Sequence, residues 1–130
     1  MGYLLIVDDD PNIRLLVTDL MENFGLETKA VSNGKEALEA VEAEAPDAII
    51  LDMMMPVMDG FTTITHLQGN KATRQIPIIL MSAIADHRGV ARLPGVKAVL
   101  RKGDFSIAQF RTVMEQVGLL DKKTDDDKAA

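Results

Sequence analysis

The chain has 130 residues, 47% hydrophobic and 26% charged, with a formal net charge of −6. That length suits one domain around one core, and the acidic balance argues against a surface that grips nucleic acid through clustered Lys and Arg. There is no cysteine, which excludes disulfides and cysteine–zinc sites; two histidines, His66 and His87, are too few for a structural zinc site and read as exposed helix or loop residues.

The opening apolar run is too short for a secretory leader and leads directly into acids. No run approaches the length of a membrane span. Met1-Gly2 is followed by Ile6 where a myristoylation signal wants Ser or Thr. A cytoplasmic domain without membrane contact is expected.

Tyr3 to Val7 reads as a first strand, its apolar run leading into Asp8-Asp9-Asp10. Asp10 can cap the next helix, with Pro11 at its first position. Ile13, Leu16, Val17, Leu20, Met21 and Phe24 then form one apolar stripe, and Gly25 ends the helix. Glu27 to Val31 is a short second strand. Ser32-Asn33-Gly34 caps a helix from Lys35 to Glu44 with Ala37, Leu38 and Val41 inward, and Pro46-Asp47 breaks it. Ala48 to Leu51 is a third strand running into Asp52. Gly60 to about Gln68 is a helix carrying Phe61, Ile64 and Leu67. Pro77 opens a fourth strand, Ile78 to Met81, followed by Ser82. A helix over Ile84 to Leu93 is interrupted by Gly89 and cut off by Pro94-Gly95. Lys97 to Arg101 is a fifth strand, followed by Lys102. Ser106 caps a last helix with Phe110, Val113, Met114 and Val117 inward. The domain is expected to span residues 1–120, with a charged, disordered tail over 121–130.

Five alternations of strand and helix predict a doubly wound α/β fold: a flavodoxin-like parallel sheet of order 2-1-3-4-5 with helices on both faces. In such sheets the crevice lies at the carboxyl ends of the strands, between strands one and three. Asp8 and Asp9, Asp52, Ser82 and Lys102 all fall there. Two unit charges about 5 Å apart cost roughly 3 kcal/mol at an effective dielectric near 20, so three carboxylates gathered at one point call for a hard divalent cation such as Mg²⁺. A carboxylate beside that cation can attack phosphorus. A lysine ammonium and a serine hydroxyl can bind the phosphoryl oxygens.

The residues Ile6-Val7-Asp8-Asp9-Asp10, Ile13-Arg14, Asn33 to Leu38, Leu51 to Gly60, Ile76 to Ile79, Ser82-Ala83 and Lys102 together resemble the receiver domain of two-component response regulators. The resemblance implies that Asp52 accepts a phosphoryl group from a phosphohistidine on a sensor kinase or phosphotransfer protein. It implies that Asp9, Asp52 and the Met54 carbonyl hold Mg²⁺ directly, that Asp8 does so mainly through water, and that Ser82 and Lys102 read the phosphoryl group. Such a domain is a signalling switch that catalyses only its own phosphorylation and dephosphorylation, as a monomer or a phosphorylation-dependent dimer.

Three departures stand out. Lys102 is followed by Gly103 where the family usually has Pro, so a trans bond is expected. Val99 occupies the place of the family's aromatic switch residue. The stretch between Ser82 and Lys102 is short, so a reduced fourth helix is expected. The resemblance puts Met54 and Ile84, both apolar, at positions that flank the approach of water to the aspartyl phosphate, where they are expected to slow its hydrolysis; the alternative for Met54 is that the Met53, Met54, Met55 and Met58 cluster fills irregular gaps. The alternative is a phosphate-independent binding module of the same fold. A magnesium-dependent phosphatase would place a second acid at Met54, and a flavin protein would not place three acids after its first strand.

Overall fold

The structure, a computed structural model, describes residues 2–83, 88–103 and 105–121. Its elements are β1 (Leu4–Val7), α1 (Pro11–Asn23), β2 (Thr28–Val31), α2 (Gly34–Ala43), β3 (Ala48–Asp52), α3 (Gly60–Gln68), β4 (Ile78–Ser82), α4 (Arg88–Ala91), β5 (Val96–Arg101) and α5 (Ile107–Gln116). The strands form one parallel sheet in the order β2-β1-β3-β4-β5, as the alternation predicts.

Strand periodicity sorts the core into two layers. Leu5, Val7, Ile49, Leu51, Ile78 and Leu80 face α2 and α3, meeting Ala37, Val41, Ile64 and Leu67. Leu4, Ile6, Ala48, Ile50, Ile79 and Met81 face the other way, onto Val17 and Met21 of α1 and onto Phe110, Val113 and Met114 of α5. Burial on both faces is why β1, β3 and β4 read as unbroken apolar runs.

The helix starts follow from their caps. Asp10 accepts from the Asn12 N–H at 2.9 Å with Pro11 at the first position. Asn33 accepts from the Glu36 N–H, Asp59 from Thr62 and Ser106 from Gln109.

Two stripe assignments need correction. Leu16, expected inward, is 43% exposed; Val17 and Met21 hold the centre of the α1 contact, and Leu16 lies one helical step outside it. Phe61 is 50% exposed, because the inner face of α3 is Gly60, Thr63, Ile64 and Leu67. Thr63 is buried on that face because its hydroxyl donates to the Asp59 carbonyl at 2.8 Å. The fourth helix is described only as Arg88–Ala91, and the expected start at Ile84 and the tail after Asp121 lie outside the described residues. The Lys102–Gly103 peptide is trans, and Gly103 has φ +96°.

The loop from β3 to α3 is tightly braced. The Gly34 N–H donates to the Met58 carbonyl at 3.3 Å and the Gly60 N–H to the Met53 carbonyl at 3.0 Å. A Cβ on Gly60 would lie 2.8 Å from Met53 Cα and 2.9 Å from the Asp52 carbonyl; one on Gly34 would strike Thr63 Oγ1. Inside this loop Val57 has φ 70°, and the Met58 N–H reaches back to the Pro56 carbonyl at 2.8 Å, closing a three-residue turn. A β-branched residue there costs about 1–2 kcal/mol. Val57 is 77% exposed, so little packing offsets the strain. Val57→Gly is expected to stabilise the fold by about 1 kcal/mol, after glycine's own entropy cost, and to raise Tm by about 4 °C. Thermal unfolding checks this; an unchanged or lower Tm would show that the turn is not strained.

Candidate functional site

The sheet alternation that builds the core also builds the site. Val7 of β1 pairs with Leu51 of β3, so Asp8 and Asp52, one residue on, stand side by side at the strand ends. Both continue the even-numbered face, as does Lys102 one residue beyond β5. Asp52 and Ser82 are the last residues of their strands, one position further than the apolar runs suggest.

Asp8, Asp52 and Ser82 are buried, whereas Asp9 is exposed. Carboxylate oxygens of Asp8, Asp9 and Asp52 lie within 4.8 Å of one another. Lys102 Nζ sits between two of these acids, 2.8 Å from Asp8 Oδ2 and 3.1 Å from Asp52 Oδ1. Asp8 Oδ1 accepts the Asp10 N–H at 2.9 Å. Asp52 Oδ1 also receives a long bond, 3.4 Å, from the Met54 N–H. Asp52 Oδ2 is buried and has no hydrogen-bond partner among the described residues.

That orphaned oxygen has an electrostatic consequence. Burial first, and then the charge of Asp8, push the Asp52 carboxyl up to about 6, against the opposing pull of Lys102 and the Met54 N–H. For Lys102, burial works against the charge, but its bonds to Asp8 and Asp52 outweigh burial and raise its pKa. The ammonium stays protonated and holds two acids that would otherwise repel each other.

Of the residues singled out from sequence, Asp8, Asp9, Asp52 and Lys102 come together directly. Ser82 joins them through the sheet: the Lys102 N–H donates to its carbonyl at 2.8 Å, and Asp52 pairs in register with the preceding Met81. Met54 follows on the loop with its side chain 71% exposed. Asp10 caps α1, as expected. Ile84 and His87 lie outside the described residues, and His66 is exposed on α3. Val99 packs against the core layer under α3. A cleft of about 580 Å³ between the C-terminal ends of α2 and α3, lined by Val41, Glu42, His66 and Leu67, contains none of the site residues.

One contact had no role assigned to it from sequence. Arg14 Nη1 donates to the Asp8 carbonyl at 2.7 Å. The available signal was a cation in the first turn of a helix, where the dipole disfavours it.

The family profile described as the response regulator receiver domain matches residues 4–102. The chain belongs to the response regulator receiver domain family. Among curated relatives, the response regulator PleD of Caulobacter vibrioides is 40% identical over 96 residues, which is 73% of this chain but 20% of PleD. The chain thus spans about a fifth of that relative and about a third of the DNA-binding response regulator MtrA of Mycolicibacterium smegmatis, 32% identical over 83 residues. An uncharacterised 14.6 kDa protein of Leptolyngbya boryana is 37% identical over 114 residues, covering 86% of this chain and 87% of its own.

Solved receivers share the fold. The receiver domain of a histidine kinase from Syntrophus aciditrophicus superposes with a TM-score of 0.79 at 30% identity, covering 95% of this chain and 96% of that one. The response regulator TrrA of Thermotoga maritima, solved in complex with Mg²⁺-BeF, gives 0.79 at 27% identity, covering 90% and 99%.

Proposed function

We propose that this receiver takes a phosphoryl group on Asp52 from a phosphohistidine of a sensor kinase or phosphotransfer protein, with Mg²⁺ as cofactor. The observation that carries the proposal is the Asp52 carboxylate itself. One oxygen is held by Lys102 and the Met54 N–H, and the other is buried and unpartnered beside two further acids.

The donor set suits a hard divalent cation: three carboxylates, all oxygen donors, with their charges unbalanced by the one ammonium among them. Asp9 and Asp52 would hold it with the Met54 carbonyl, and Asp8 through water. When bound, Mg²⁺ neutralises charge on the phosphoryl oxygens. The rest belongs to the chain. An Asp52 oxygen forms a bond to phosphorus as the phosphorus–nitrogen bond of the phosphohistidine breaks; the electron pair stays on that nitrogen, and the ring, protonated on its other nitrogen, leaves as neutral imidazole. Lys102 and the Ser82 hydroxyl bind the transferred group's oxygens. The added charge biases the loops after β4 and β5. The domain acts as a switch, catalysing only its own phosphorylation and hydrolysis, and Met54 excludes water from the acylphosphate. A cytoplasmic location fits a kinase donor; among the described residues no helix is long and apolar enough to cross a membrane. Contact with DNA, where a longer relative such as MtrA makes it, is not assigned to this acidic domain.

Intact mass after incubation with Mg²⁺ and acetyl phosphate tests the proposal. The expected result is one added phosphoryl group in the wild type and none in Asp52→Asn. No gain from either acetyl phosphate or a phosphohistidine donor, in folded protein that binds Mg²⁺, would favour the phosphate-independent binding module.

A further inference from the structure

The polar groups of Asp8 are held by hydrogen bonds, except Oδ2, which has an ion pair with Lys102 but no hydrogen bond. Its N–H donates to the Val31 carbonyl at 3.2 Å, Oδ1 accepts from the Asp10 N–H, Oδ2 meets Lys102, and the carbonyl accepts from Arg14 Nη1 at 2.7 Å. That carbonyl belongs to the peptide joining Asp8 to Asp9. The tilt of this peptide plane sets the direction in which the exposed Asp9 carboxylate leaves the chain.

Arg14 stands in the first turn of α1, where its own N–H donates to the Asp10 carbonyl at 3.0 Å. Helix formation does not favour a cation there. The side chain is half-buried and turns back over the helix start to reach the end of β1. Beyond it lies an open hollow of about 310 Å³, lined by Arg14, Ala30, Val31, Ser32 and Glu36. Across that hollow the Glu36 carboxylate is fixed by the Ser32 N–H at 2.8 Å and the Ser32 hydroxyl at 2.6 Å. These bonds, with a smaller contribution from the Arg14 charge, hold Glu36 below the usual carboxylate range. Arg14 therefore lies between a fixed anion on α2 and the carbonyl that joins two members of the acidic cluster.

We infer that Arg14 is a positioning residue for the divalent cation: by holding the Asp8–Asp9 peptide, it aims the Asp9 carboxylate at the point shared with Asp52. This rests on the metal site of the proposed function. The sign of its effect separates it from a charge role. As a mere charge, Arg14 repels the cation, and its removal tightens binding. As a positioning group, its removal weakens binding, and outer partners of metal ligands are typically worth about 10–100-fold in affinity.

The test is calorimetric titration of metal-free wild type, Arg14→Met and Arg14→Lys with MgCl₂, beside thermal unfolding of each. The expected result is Mg²⁺ affinity about tenfold weaker in Arg14→Met, with Arg14→Lys between it and the wild type. Equal or tighter binding in folded Arg14→Met overturns the inference, as does a lower Tm with unchanged affinity. If Arg14→Met does not fold, Arg14→Lys decides: weaker binding supports the role and wild-type affinity overturns it. A wild type that binds no Mg²⁺ overturns the metal site itself, and Arg14's role with it.

Discussion

Lys102→Met is expected to bind Mg²⁺ more tightly than the wild type while losing stability in metal-free buffer. The lysine ammonium lies 2.8 Å from one acid and 3.1 Å from another, so it holds two of the carboxylates that a cation would use. Metal and ammonium compete for the negative charge of these acids, so the ammonium weakens the site for a cation. Removing the competitor is expected to tighten binding by about tenfold or more, equivalent to about 1.4 kcal/mol. The same change leaves Asp8 and Asp52 buried without a counter-charge. Breaking a buried ion pair costs about 3–5 kcal/mol, and since Lys102 is itself partly exposed, a loss of about 2–3 kcal/mol is expected. Saturating Mg²⁺ should restore much of it. Calorimetry and urea unfolding, each with EDTA and with MgCl₂, read both effects. Weaker Mg²⁺ binding in the variant, or unchanged metal-free stability, would falsify this account of the lysine.

Asp52→Asn is expected to stabilise the metal-free protein at neutral pH. The folded chain holds the Asp52 proton up to about pH 6, whereas an unfolded aspartate releases it near 3.8. Between those values the folded state binds more protons, so this residue's contribution to stability falls as pH rises and stays low above about 6. Asparagine cannot ionise and escapes the penalty. The difference between variant and wild type should be near zero at pH 4 and reach about 2–3 kcal/mol by pH 7, from roughly two pKa units at 1.36 kcal/mol each. Taking the difference between the two proteins cancels the other titrating groups. Urea unfolding in EDTA across that range is the measurement; a pH-independent difference would place the Asp52 pKa near its ordinary value.

The sheet was legible because burial on both faces leaves a plain mark: apolar runs ending in Asp8, Asp52, Ser82 and Lys102. Those ends gave the site, since a parallel sheet brings the carboxyl ends of its strands to one edge. Helix stripes were less legible. Leu16 and Phe61 look inward by composition, yet the inner face of α3 is set by how closely Gly60 approaches Met53, which no hydrophobic period encodes. Val57 was invisible for a similar reason. Its positive φ belongs to the turn closed by the Met58 N–H on the Pro56 carbonyl, against the preference of its own side chain. Arg14 was visible as a residue but not as a bond, because its partner is a main-chain carbonyl.

The glycine contacts around the β3–α3 loop make one wall of the site stiff. On the α2 side, Gly34 and Gly60 leave no room for even a methyl group, so that wall is hard. A charge added at Asp52 therefore meets a loop with no slack on this side, and the wall is expected to keep its shape while the acylphosphate is present.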